Sequence, residues 1–387
     1  MSLSFFSGPA ILGILGGGQL GKMLLQAGHP WDLQTRVLDP DPEAPCKNLC
    51  HYFEVGSLLD YNTVYQFGKA CDVLTIEIEH VNTDALRQLK KEGVVVHPDP
   101  EALGTIQDKG KQKIFFKHLG IPTSDFSLFQ EKEHLYDALR NKIIKYPFVQ
   151  KTRTAGYDGK GVSIIFSEND LPKLLEGPCI IEDYVPLQGE LAVIVARNEQ
   201  GETVAYDPVS MDFHAEANLL DLLLYPAPVS VELAAQAEQY ARAIIESFGI
   251  CGVLAVEFLI DQQGKIWVNE VAPRPHNSGH QTIESSVTSQ YQQHLRGILN
   301  LPLGSTRITV PSAMVNILGD EGHQGPVLYE GLNTCLEQPG IHIHLYGKKI
   351  TKPFRKMGHV TVTHPDLEQA KQTAQWVKQT IHVQSRK

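Results

Sequence analysis

The stretch VLAVEFLIDQQGKIWVNEV, residues 253–271, contains two β-patterned runs on either side of DQQG. Runs of this kind around a short turn predict an antiparallel hairpin. If the turn is centred between Gln263 and Gly264, Glu257 lies opposite Glu270, because each is six to seven residues from that centre. The sequence therefore predicts two carboxylates face to face on neighbouring strands.

Two directly opposed carboxylates need compensation, because like charges at paired positions destabilise a sheet. A bound cation or a raised pKa would make the pair tolerable. Glu257 and Glu270 offer oxygen ligands, with Asn269 beside them, and such ligands suit Mg²⁺ bridging nucleotide phosphates better than zinc. The alternative is a register shifted by one residue, with the glutamates on opposite faces and both solvated.

The segment that follows, APRPHNSGH, is dense in functional side chains. Five polar residues fall within seven positions: Arg274, His276, Asn277, Ser278 and His280. A guanidinium, an imidazole and amide or hydroxyl groups can together orient a small anion and a phosphorylated substrate, and His276 could move a proton. The sequence contains no pattern of an activated serine or cysteine nucleophile.

A glycine-rich loop, TRTAGYDGKGV at residues 152–162, lies between the strand-like runs FVQ and IIF. Glycines let backbone N–H groups approach a ligand closely, and Arg153 and Lys160 add positive charge, so a phosphate is the expected ligand. An ordinary mobile hairpin is the alternative, because glycine and aspartate are common turn residues.

Three lysines, at positions 109, 111 and 113, crowd the start of a helix that the pattern places from Asp108 to Gly120. The helix macrodipole favours acidic residues there, so an anion is expected nearby. A solvated basic face is the alternative.

The pattern of the N-terminal region predicts a parallel α/β domain. A strand at residues 10–15, the turn GGGQLG, a helix, and a strand at residues 35–38 ending in Asp39 resemble a dinucleotide-binding opening. It predicts an anion at the helix N-terminus and a hydroxyl near Asp39. GGGQLG does not satisfy G-x-G-x-x-G cleanly at its spacing to Asp39 and stands alone in the chain, so an NAD site is a minor alternative.

Two further strands, residues 73–78 and 94–96, complete this domain near residue 103. In TIEIEH the residue Glu79 follows a strand, where open α/β sheets place ligands. Glu79 is therefore a candidate substrate contact, and a solvated strand end is the alternative.

Composition narrows the class of protein. A chain of 387 residues with a net charge of −10 suggests two or three domains and disfavours a nucleic-acid partner. No apolar run reaches the ~18 residues of a membrane span, and no Lys or Arg precedes Lys22 as a secretory leader would require. Six cysteines without a CxxC pair indicate reduced thiols. We therefore expect a cytoplasmic protein that binds small anionic ligands.

The order of the motifs resembles that of the ATP-grasp enzymes. The motifs are, in chain order, GGGQLG, DK at 108–109, Lys151 with TAGYDGKG, CIIEDYV, GE at 189–190, VEF and NEVAPRPHNSGH. More narrowly, GGGQLG, GYDGKG, APRxHNSGH and RKMGH at 355–359 resemble the N5-carboxyaminoimidazole ribonucleotide synthases of purine biosynthesis. The resemblance covers nearly the whole chain; Ala155 stands where the family often has glycine.

The resemblance implies an α/β protein, α+β in its C-terminal part, with the ATP-grasp fold. It implies a Rossmann-like N-terminal domain at residues 1–103, a small central lid at 104–185, and a C-terminal domain at 186–387. ATP would lie between the last two domains. Homodimers are usual in the resembled family.

The resemblance also assigns an ATP and Mg²⁺ site. Phosphate contacts would come from Lys109 and Lys151, and the covering loop from Gly156, Tyr157, Asp158, Gly159, Lys160, Gly161 and Val162. Adenine would lie against Glu182, Asp183, Tyr184 and Val185, and ribose against Glu190, with His214 and Asn269 completing the pocket. Glu257 and Glu270 would carry Mg²⁺, as the hairpin alone suggests.

The implied reaction is phosphorylation of bicarbonate by ATP to carboxyphosphate, followed by carboxylation of the amine of 5-aminoimidazole ribonucleotide. Such chemistry needs positioning and charge neutralisation rather than a covalent enzyme intermediate. Candidates around bicarbonate are Tyr157, Arg274, His276 and Lys348. Candidates for the ribonucleotide site are Gln19, Leu20, Glu79, Asn277, Ser278, Arg355 and Lys356, together with Arg274, His276 and Lys348.

Three other functions stay open at this point. Another ATP-grasp ligase, such as a formate-dependent purine transformylase or a biotin carboxylase, would share the ATP and magnesium machinery. An NAD-dependent oxidoreductase would use GGGQLG and Asp39. A non-catalytic nucleotide-binding module would not need Arg274 and His276 beside the metal site.

Overall fold

The structure is a computed structural model that describes residues 10–154, 156, 161–213 and 219–386. The first part of the chain forms a parallel sheet in the order β3-β2-β1-β4-β5. Its strands are β1 Ile11–Leu15, β2 Gln34–Asp39, β3 Tyr52–Val55, β4 Val73–Ile76 and β5 Val95–Val96. Four helices accompany them: α1 Gln19–Gly28, α2 Tyr61–Gly68, α3 Thr83–Lys91 and α4 Pro100–Ile106. The parallel α/β organisation predicted for this region is confirmed.

The edge strand β3 was not predicted, because its residues are exposed or half-buried and do not form an apolar run. Strand β4 ends at Ile76, two residues earlier than predicted. The chain turns there because the next residue, Glu77, points back to the glycine turn.

The glycine turn binds the protein's own carboxylates. Gly17 N donates to Asp39 Oδ2 (2.6 Å), and the backbone N–H groups of Gly18 and Gly21 donate to Glu77 (2.7 and 2.8 Å). A Cβ on Gly18 would lie 2.5 Å from Glu77 Oε1, so this close approach requires glycine. Asp39 therefore binds the protein's own main chain and not the predicted ligand hydroxyl, and the acidic group at the start of α1 is Glu77, whose pKa is raised by burial.

The middle of the chain forms a small α/β unit, which we call the lid. It contains α5 Lys109–His118, β6 Phe126–Phe129, α6 Lys132–Arg140, β7 Phe148–Thr152, β8 Val162–Ile165 and β9 Cys179–Asp183. Its antiparallel sheet has the order β6-β9-β7-β8. The helix predicted from Asp108 begins there, with the Asp108 carboxylate accepting from Gly110 N and Lys111 N. The strand-like runs on either side of the glycine-rich loop are β7 and β8, which pair antiparallel.

A large antiparallel sheet follows, in the order β15-β14-β10-β12-β13-β16-β20-β18, with β11 paired to β10. Its strands are β10 Leu187–Arg197, β11 Thr203–Ala205, β12 Val209–Phe213, β13 Leu220–Tyr225, β14 Gly252–Asp261, β15 Ile266–Ala272, β16 Ser312–Leu318, β18 Ile341–Leu345 and β20 Lys356–Thr363. The helices of this part are α7 Val231–Phe248, α8 Thr282–Ser285, α9 Gln290–Ile298, α10 Leu332–Leu336 and α11 Leu367–Thr380. A small sheet, β19-β17-β21, comprises β17 Gly325–Glu330, β19 Ile350–Thr351 and β21 His382–Ser385.

Apolar packing ties the large sheet to its neighbours. Helix α7 covers β10 and β14 through Ala241 and Ile245, and Phe116 of α5 joins the same core. Tyr291 of α9 and Tyr346, just after β18, pack in one cluster with Leu24 of α1. The large sheet is therefore in contact with both the lid and the first parallel sheet.

Two expectations from composition can be checked directly. The six cysteines, all within the described residues, are free thiols and five of them are buried. No helix in the described ranges is long and apolar enough to cross a membrane.

Candidate nucleotide and metal site

Three glutamates lie on one face of neighbouring strands of the large sheet. Glu257 of β14 pairs with Glu270 of β15 and, on its other side, with Ala192 of β10. Glu190 precedes Ala192 by two positions, so its side chain lies on the same face. The predicted pairing of Glu257 with Glu270 is confirmed.

A β-bulge produces this pairing. Gln263 is at the centre of the turn, because Asp261 N donates to Lys265 O (3.0 Å). Phe258 pairs with Val268, and continuing that register would place Asn269, not Glu270, opposite Glu257. The extra residue Asn269 shifts the ladder by one position. Bulges of this kind re-aim side chains next to functional sites.

Two lysines meet this face of the sheet. Lys109, the first residue of α5, forms an ion pair with Glu270. Lys151 of β7 reaches across from the lid and donates to Asn269 Oδ1 (2.8 Å). The bulge thus presents Asn269 and Glu270 to two different lysines, and the anion expected beside the lysine-rich start of α5 is the protein's own carboxylate.

The carboxyl groups of this face have opposite electrostatic environments. The Lys109 charge holds the pKa of Glu270 at about 2, against the effect of burial. Burial, with the negative charges of Glu270 and Glu190, raises the pKa of Glu257 to about 8. Burial raises the pKa of Glu190 to about 7. The positive charge on this face is therefore not sufficient for Glu257 and Glu190. A bound cation would stabilise their ionised forms.

Behind this face, Glu182 of β9 is the centre of a buried polar network. Its carboxylate accepts from Ser124 Oγ (2.8 Å) and forms ion pairs with Lys113 (3.0 Å) and Lys151 (3.2 Å). Lys113 also donates to Thr123 Oγ1 (2.8 Å), and Lys113 and Glu182 are 2% and 3% exposed. The network joins α5 to the lid sheet and holds Lys151 toward β15.

Both pKa values of the Lys113–Glu182 pair are lowered, which favours the ionised form of Glu182 but disfavours that of Lys113. Burial opposes ionisation of Glu182, but the charges of Lys151 and Lys113 outweigh it and lower its pKa to about 2. Burial lowers the pKa of Lys113 to about 8 despite Glu182. The difference arises because one carboxylate is shared by two ammonium groups. Glu182 is therefore ionised at neutral pH.

We expect acid to weaken this network within a defined pH range. The pKa of Glu182 is lower in the folded protein than the ~4.3 of an unfolded glutamate, so its stabilisation is complete above that value and is lost as the pH falls toward 2. The variant Glu182→Gln lacks this dependence. Urea unfolding from pH 6 to pH 2.5 should therefore show the free-energy gap between the two proteins narrowing below about pH 4.3. A gap independent of pH would contradict the assignment.

The loop after β15 brings an imidazole to Glu257. His276 Nε2 lies 3.5 Å from Glu257 Oε1, and His276 Nδ1 accepts from Ser278 N (3.3 Å) and lies 2.9 Å from Ser278 Oγ. Both polar atoms of the Asn277 side-chain amide are buried and have no hydrogen-bond partner among the described residues. Buried polar atoms of this kind are normally satisfied, so a ligand or water is expected there.

Arg274 links this loop to the first parallel sheet. Its Nε lies 2.9 Å from Glu79 Oε1, and both side chains are largely buried. Two candidate substrate residues that are distant in sequence are therefore in contact. Glu79 lies where the sequence placed it, after β4.

The remaining acceptor-site candidates lie around β18, β20 and α1. Lys348 Nζ donates to Lys356 O (2.8 Å), and Arg355 Nη1 donates to Ile350 O (2.6 Å). Gln19 and Leu20 begin α1, and Leu20 packs in the same apolar cluster as Tyr346. These candidates therefore lie in neighbouring segments.

Several predicted ATP residues lie outside the described residues: Tyr157, Asp158, Gly159, Lys160 and His214. The base of the glycine-rich loop is described. Thr152 N donates to Gly161 O (2.8 Å), and Lys109 N donates to Arg153 O (2.9 Å). Gly156 is described, and Val162 begins β8. The loop therefore starts from a base attached to α5.

The segment predicted to hold adenine connects the lid to the large sheet. Asp183 ends β9 and is exposed, while Tyr184 and Val185 are half-buried. The Tyr184 ring packs edge to face on Phe166, with centroids 5.5 Å apart. The side chain of Glu182 is occupied by its lysines, so any contact of this residue with adenine must come from the main chain.

Sequence reasoning missed several residues of the site. Lys113 appeared only as one of three lysines, and no role was predicted for Ser124, Thr123 or Gln290. The four-residue spacing of Lys109 and Lys113 puts both on one helix face, which could have indicated that Lys113 points inward with Lys109.

The geometry agrees with family models along the chain. Residues 10–107 match the ribonucleotide synthetase preATP-grasp domain, residues 114–291 the ATP-grasp domain, and residues 312–373 the phosphoribosylaminoimidazole carboxylase C-terminal domain. The chain is also 34% identical over 368 residues to the N5-carboxyaminoimidazole ribonucleotide synthase of Staphylococcus aureus, covering 94% of this chain and 95% of that protein. The chain belongs to the N5-carboxyaminoimidazole ribonucleotide synthase family. The predicted ATP-grasp fold is confirmed with it.

Solved members of the N5-carboxyaminoimidazole ribonucleotide synthase family share the whole architecture. The synthetase of Thermotoga maritima is 40% identical with a TM-score of 0.90, covering 97% of this chain and 100% of that one. The Aspergillus clavatus enzyme, described as a complex with ADP and 5-aminoimidazole ribonucleotide, is 34% identical with a TM-score of 0.87, covering 96% and 98%. At least one solved member of the family is thus described with both a nucleotide and the ribonucleotide bound.

Some relatives are longer than this chain. The chloroplastic phosphoribosylaminoimidazole carboxylase of Vigna aconitifolia is 36% identical over 367 residues, and these cover 92% of this chain but 64% of that protein. The chain thus spans about two thirds of the length of this relative.

Proposed function

We propose that the protein catalyses the ATP- and bicarbonate-dependent carboxylation of 5-aminoimidazole ribonucleotide to N5-carboxyaminoimidazole ribonucleotide, through carboxyphosphate, in de novo purine biosynthesis. The observation that carries the proposal is the opposed Glu257–Glu270 pair, facing Lys109 and Lys151 where the lid meets the large sheet. The loop with Arg274 and His276 lies next to it.

In this proposal the nucleotide replaces contacts that the protein makes with itself. Lys109 leaves Glu270 and Lys151 leaves Asn269, so that both ammonium groups bind phosphate oxygens. The glycine-rich loop covers the phosphates, residues 182–185 hold adenine, and Glu190 and His214 complete the sugar side. Exclusion of water by the loop protects carboxyphosphate from hydrolysis.

The residues present fit Mg²⁺. The donor set is two carboxylates on adjacent strands. Burial, together with the negative charge of Glu270, raises the pKa of Glu257 to about 8. No group of three or more acidic, histidine or cysteine side chains suited to a metal occurs in the described ranges, and Mg²⁺ is typically held by one or two carboxylates plus substrate phosphates. Glu257 and Glu270 would hold the ion, which when bound neutralises phosphate charge.

The two chemical steps require orientation of small anions. An oxygen of bicarbonate attacks the γ-phosphorus of ATP and ADP leaves; the amine nitrogen of the ribonucleotide then attacks the carboxyl carbon, and phosphate leaves while the nitrogen loses a proton. Arg274, His276, Tyr157 and Lys348 surround bicarbonate in this proposal. Gln19, Leu20, Glu79, Asn277, Ser278, Arg355 and Lys356 receive the ribonucleotide, and the unpartnered Asn277 amide supports a ligand there.

The proposal also includes the domain boundaries, the oligomeric state and the cellular location of the protein. We propose an N-terminal domain at 1–103, a lid at 104–185 and a C-terminal domain at 186–387. The separate sheets support this division, but the boundary at 103 falls inside α4, which packs with the first domain. A homodimer and a cytoplasmic location stay predictions, and one relative is named as chloroplastic.

The proposal is tested by ADP release from the wild-type protein with MgATP. We expect release to require bicarbonate and to be stimulated by 5-aminoimidazole ribonucleotide. Stimulation by formate or by another acceptor would favour a different ATP-grasp ligase. Turnover of NADH would contradict the proposal, and we expect none because the amides of the glycine turn are bound to Asp39 and Glu77.

A further inference from the structure

Gln290 is a buried polar residue that the proposed reaction does not use. It is the first residue of α9 and is fully inaccessible to solvent. Its Oε1 accepts from His276 N (2.9 Å), and its Nε2 donates to His276 O (2.7 Å). One side-chain amide thus binds both main-chain polar groups of one residue, as a neighbouring strand would.

The surroundings of Gln290 leave little freedom to the loop that carries His276. A Cβ on Gly279 would lie 2.4 Å from Gln290 Oε1, so only glycine fits there. Gln290 N donates to Thr282 Oγ1 (2.8 Å), and that hydroxyl donates to Gly279 O (2.5 Å). The segment from His276 to Thr282 is therefore attached to the first turn of α9 at several points.

The main-chain position of His276 decides where its imidazole points. Because Nδ1 accepts from Ser278 N, the proton of the neutral ring lies on Nε2, which faces Glu257 Oε1 at 3.5 Å. At that separation a small shift of the backbone would remove the contact. A misplacement of about 1 Å at a reacting group can cost roughly 100-fold in rate.

We infer that Gln290 is a positioning residue that holds His276 against Glu257 by binding the main-chain N–H and C=O of His276. The inference rests on the proposed function, because it assigns His276 to the bicarbonate side of that site. The precise placement of His276 would then depend on Gln290, whose side chain is fully buried and is not among the proposed substrate contacts.

The same helix offers a matched control. Gln293 is equally inaccessible, and its side-chain amide makes the same pair of bonds to Gly304: Nε2 donates to Gly304 O (2.8 Å) and Oε1 accepts from Gly304 N (2.9 Å). Gly304 belongs to a loop that carries none of the candidate site residues. Loss of either amide therefore removes the same pair of main-chain bonds, and Gln290 also loses a 3.3 Å contact of Nε2 with His280 Nδ1. Only Gln290 acts on His276.

The experiment compares Gln290→Met, Gln290→Glu and Gln293→Met with the wild-type enzyme. We expect Gln290→Met and Gln293→Met to lower the thermal midpoint by similar amounts. Gln290→Met should reduce kcat roughly 10- to 100-fold with little change in KM for ATP, while Gln293→Met keeps the wild-type kcat. Gln290→Glu, which keeps the acceptor for His276 N, should fall between Gln290→Met and wild type.

Equal kcat values for Gln290→Met and Gln293→Met would overturn the inference. Inactivity of the wild type would instead count against the proposed function. A crystal structure of Gln290→Met, or of Gln290→Glu if the first variant does not fold, tests the inference independently of turnover. His276 displaced from Glu257 supports it, and an unchanged His276 contradicts it.

Discussion

Glu270→Gln is expected to reduce ADP release about 10³-fold, equivalent to about 4 kcal/mol of transition-state stabilisation. The substitution keeps the size of the side chain but removes the charge that pairs with Lys109 and opposes Glu257. A neutral amide is a weak ligand for Mg²⁺, so the variant would fail to neutralise the phosphates. Steady-state ADP release at saturating ATP, bicarbonate and ribonucleotide measures the effect.

The fold should survive this substitution, because the Glu270 side chain is 39% exposed at the site and the loss of its ion pair with Lys109 is offset by relief of its repulsion with Glu257. Circular dichroism and the thermal midpoint should stay close to those of the wild type. Glu337→Gln, at an exposed position just after α10, is the matched control and should keep full activity. Near-normal activity of Glu270→Gln would mean that the carboxylate pair does not serve the reaction.

Lys113→Met is expected to have the largest effect on stability, about 3 kcal/mol, because removing one partner of a buried ion pair leaves the other charge uncompensated. Glu182 would retain only Lys151 and Ser124. Lys151 would then be drawn toward Glu182 and away from Asn269, so we also expect a higher KM for ATP. Urea unfolding and initial rates at varied ATP concentration measure the two effects.

Lys111→Met is the control for this prediction. Lys111 is exposed and lies two residues from Lys113 on the same helix, and exposed substitutions of this kind usually change stability by less than about 0.5 kcal/mol. A double variant, Lys113→Met with Glu182→Gln, should recover part of the lost stability because it removes the stranded charge. Equal stability of Lys113→Met and Lys111→Met would show that the buried network contributes little.

The Glu257–Glu270 pair shows how far sequence patterns reach. The strand alternation and the DQQG turn predicted which glutamates meet, and the structure agrees. The turn, however, is centred on Gln263 itself, and the bulge at Asn269 restores the pairing. A bulge has no fixed residue signature, so the sequence gives the pairing without its cause.

Contacts between distant segments were the part that sequence reasoning could not reach. Lys113 and Glu182 are far apart in the chain, and nothing local indicates that a lysine on a helix is 2% exposed. The prediction of a ligand at the glycine turn was wrong for a related reason. Its backbone donors correctly predict an acidic group, but the local pattern cannot distinguish a ligand from Glu77, the residue that follows β4.

The central claim is that Glu257 and Glu270 share a divalent ion with the phosphates of a nucleotide bound beneath the lid. A crystal structure with ADP and Mn²⁺, located by its anomalous signal, tests it most directly. We predict one ion bonded to both glutamates and to the nucleotide, with Lys109 moved from Glu270 to a phosphate. An ion bound elsewhere, with Lys109 still paired to Glu270 and the phosphates remote from both glutamates, would contradict the account.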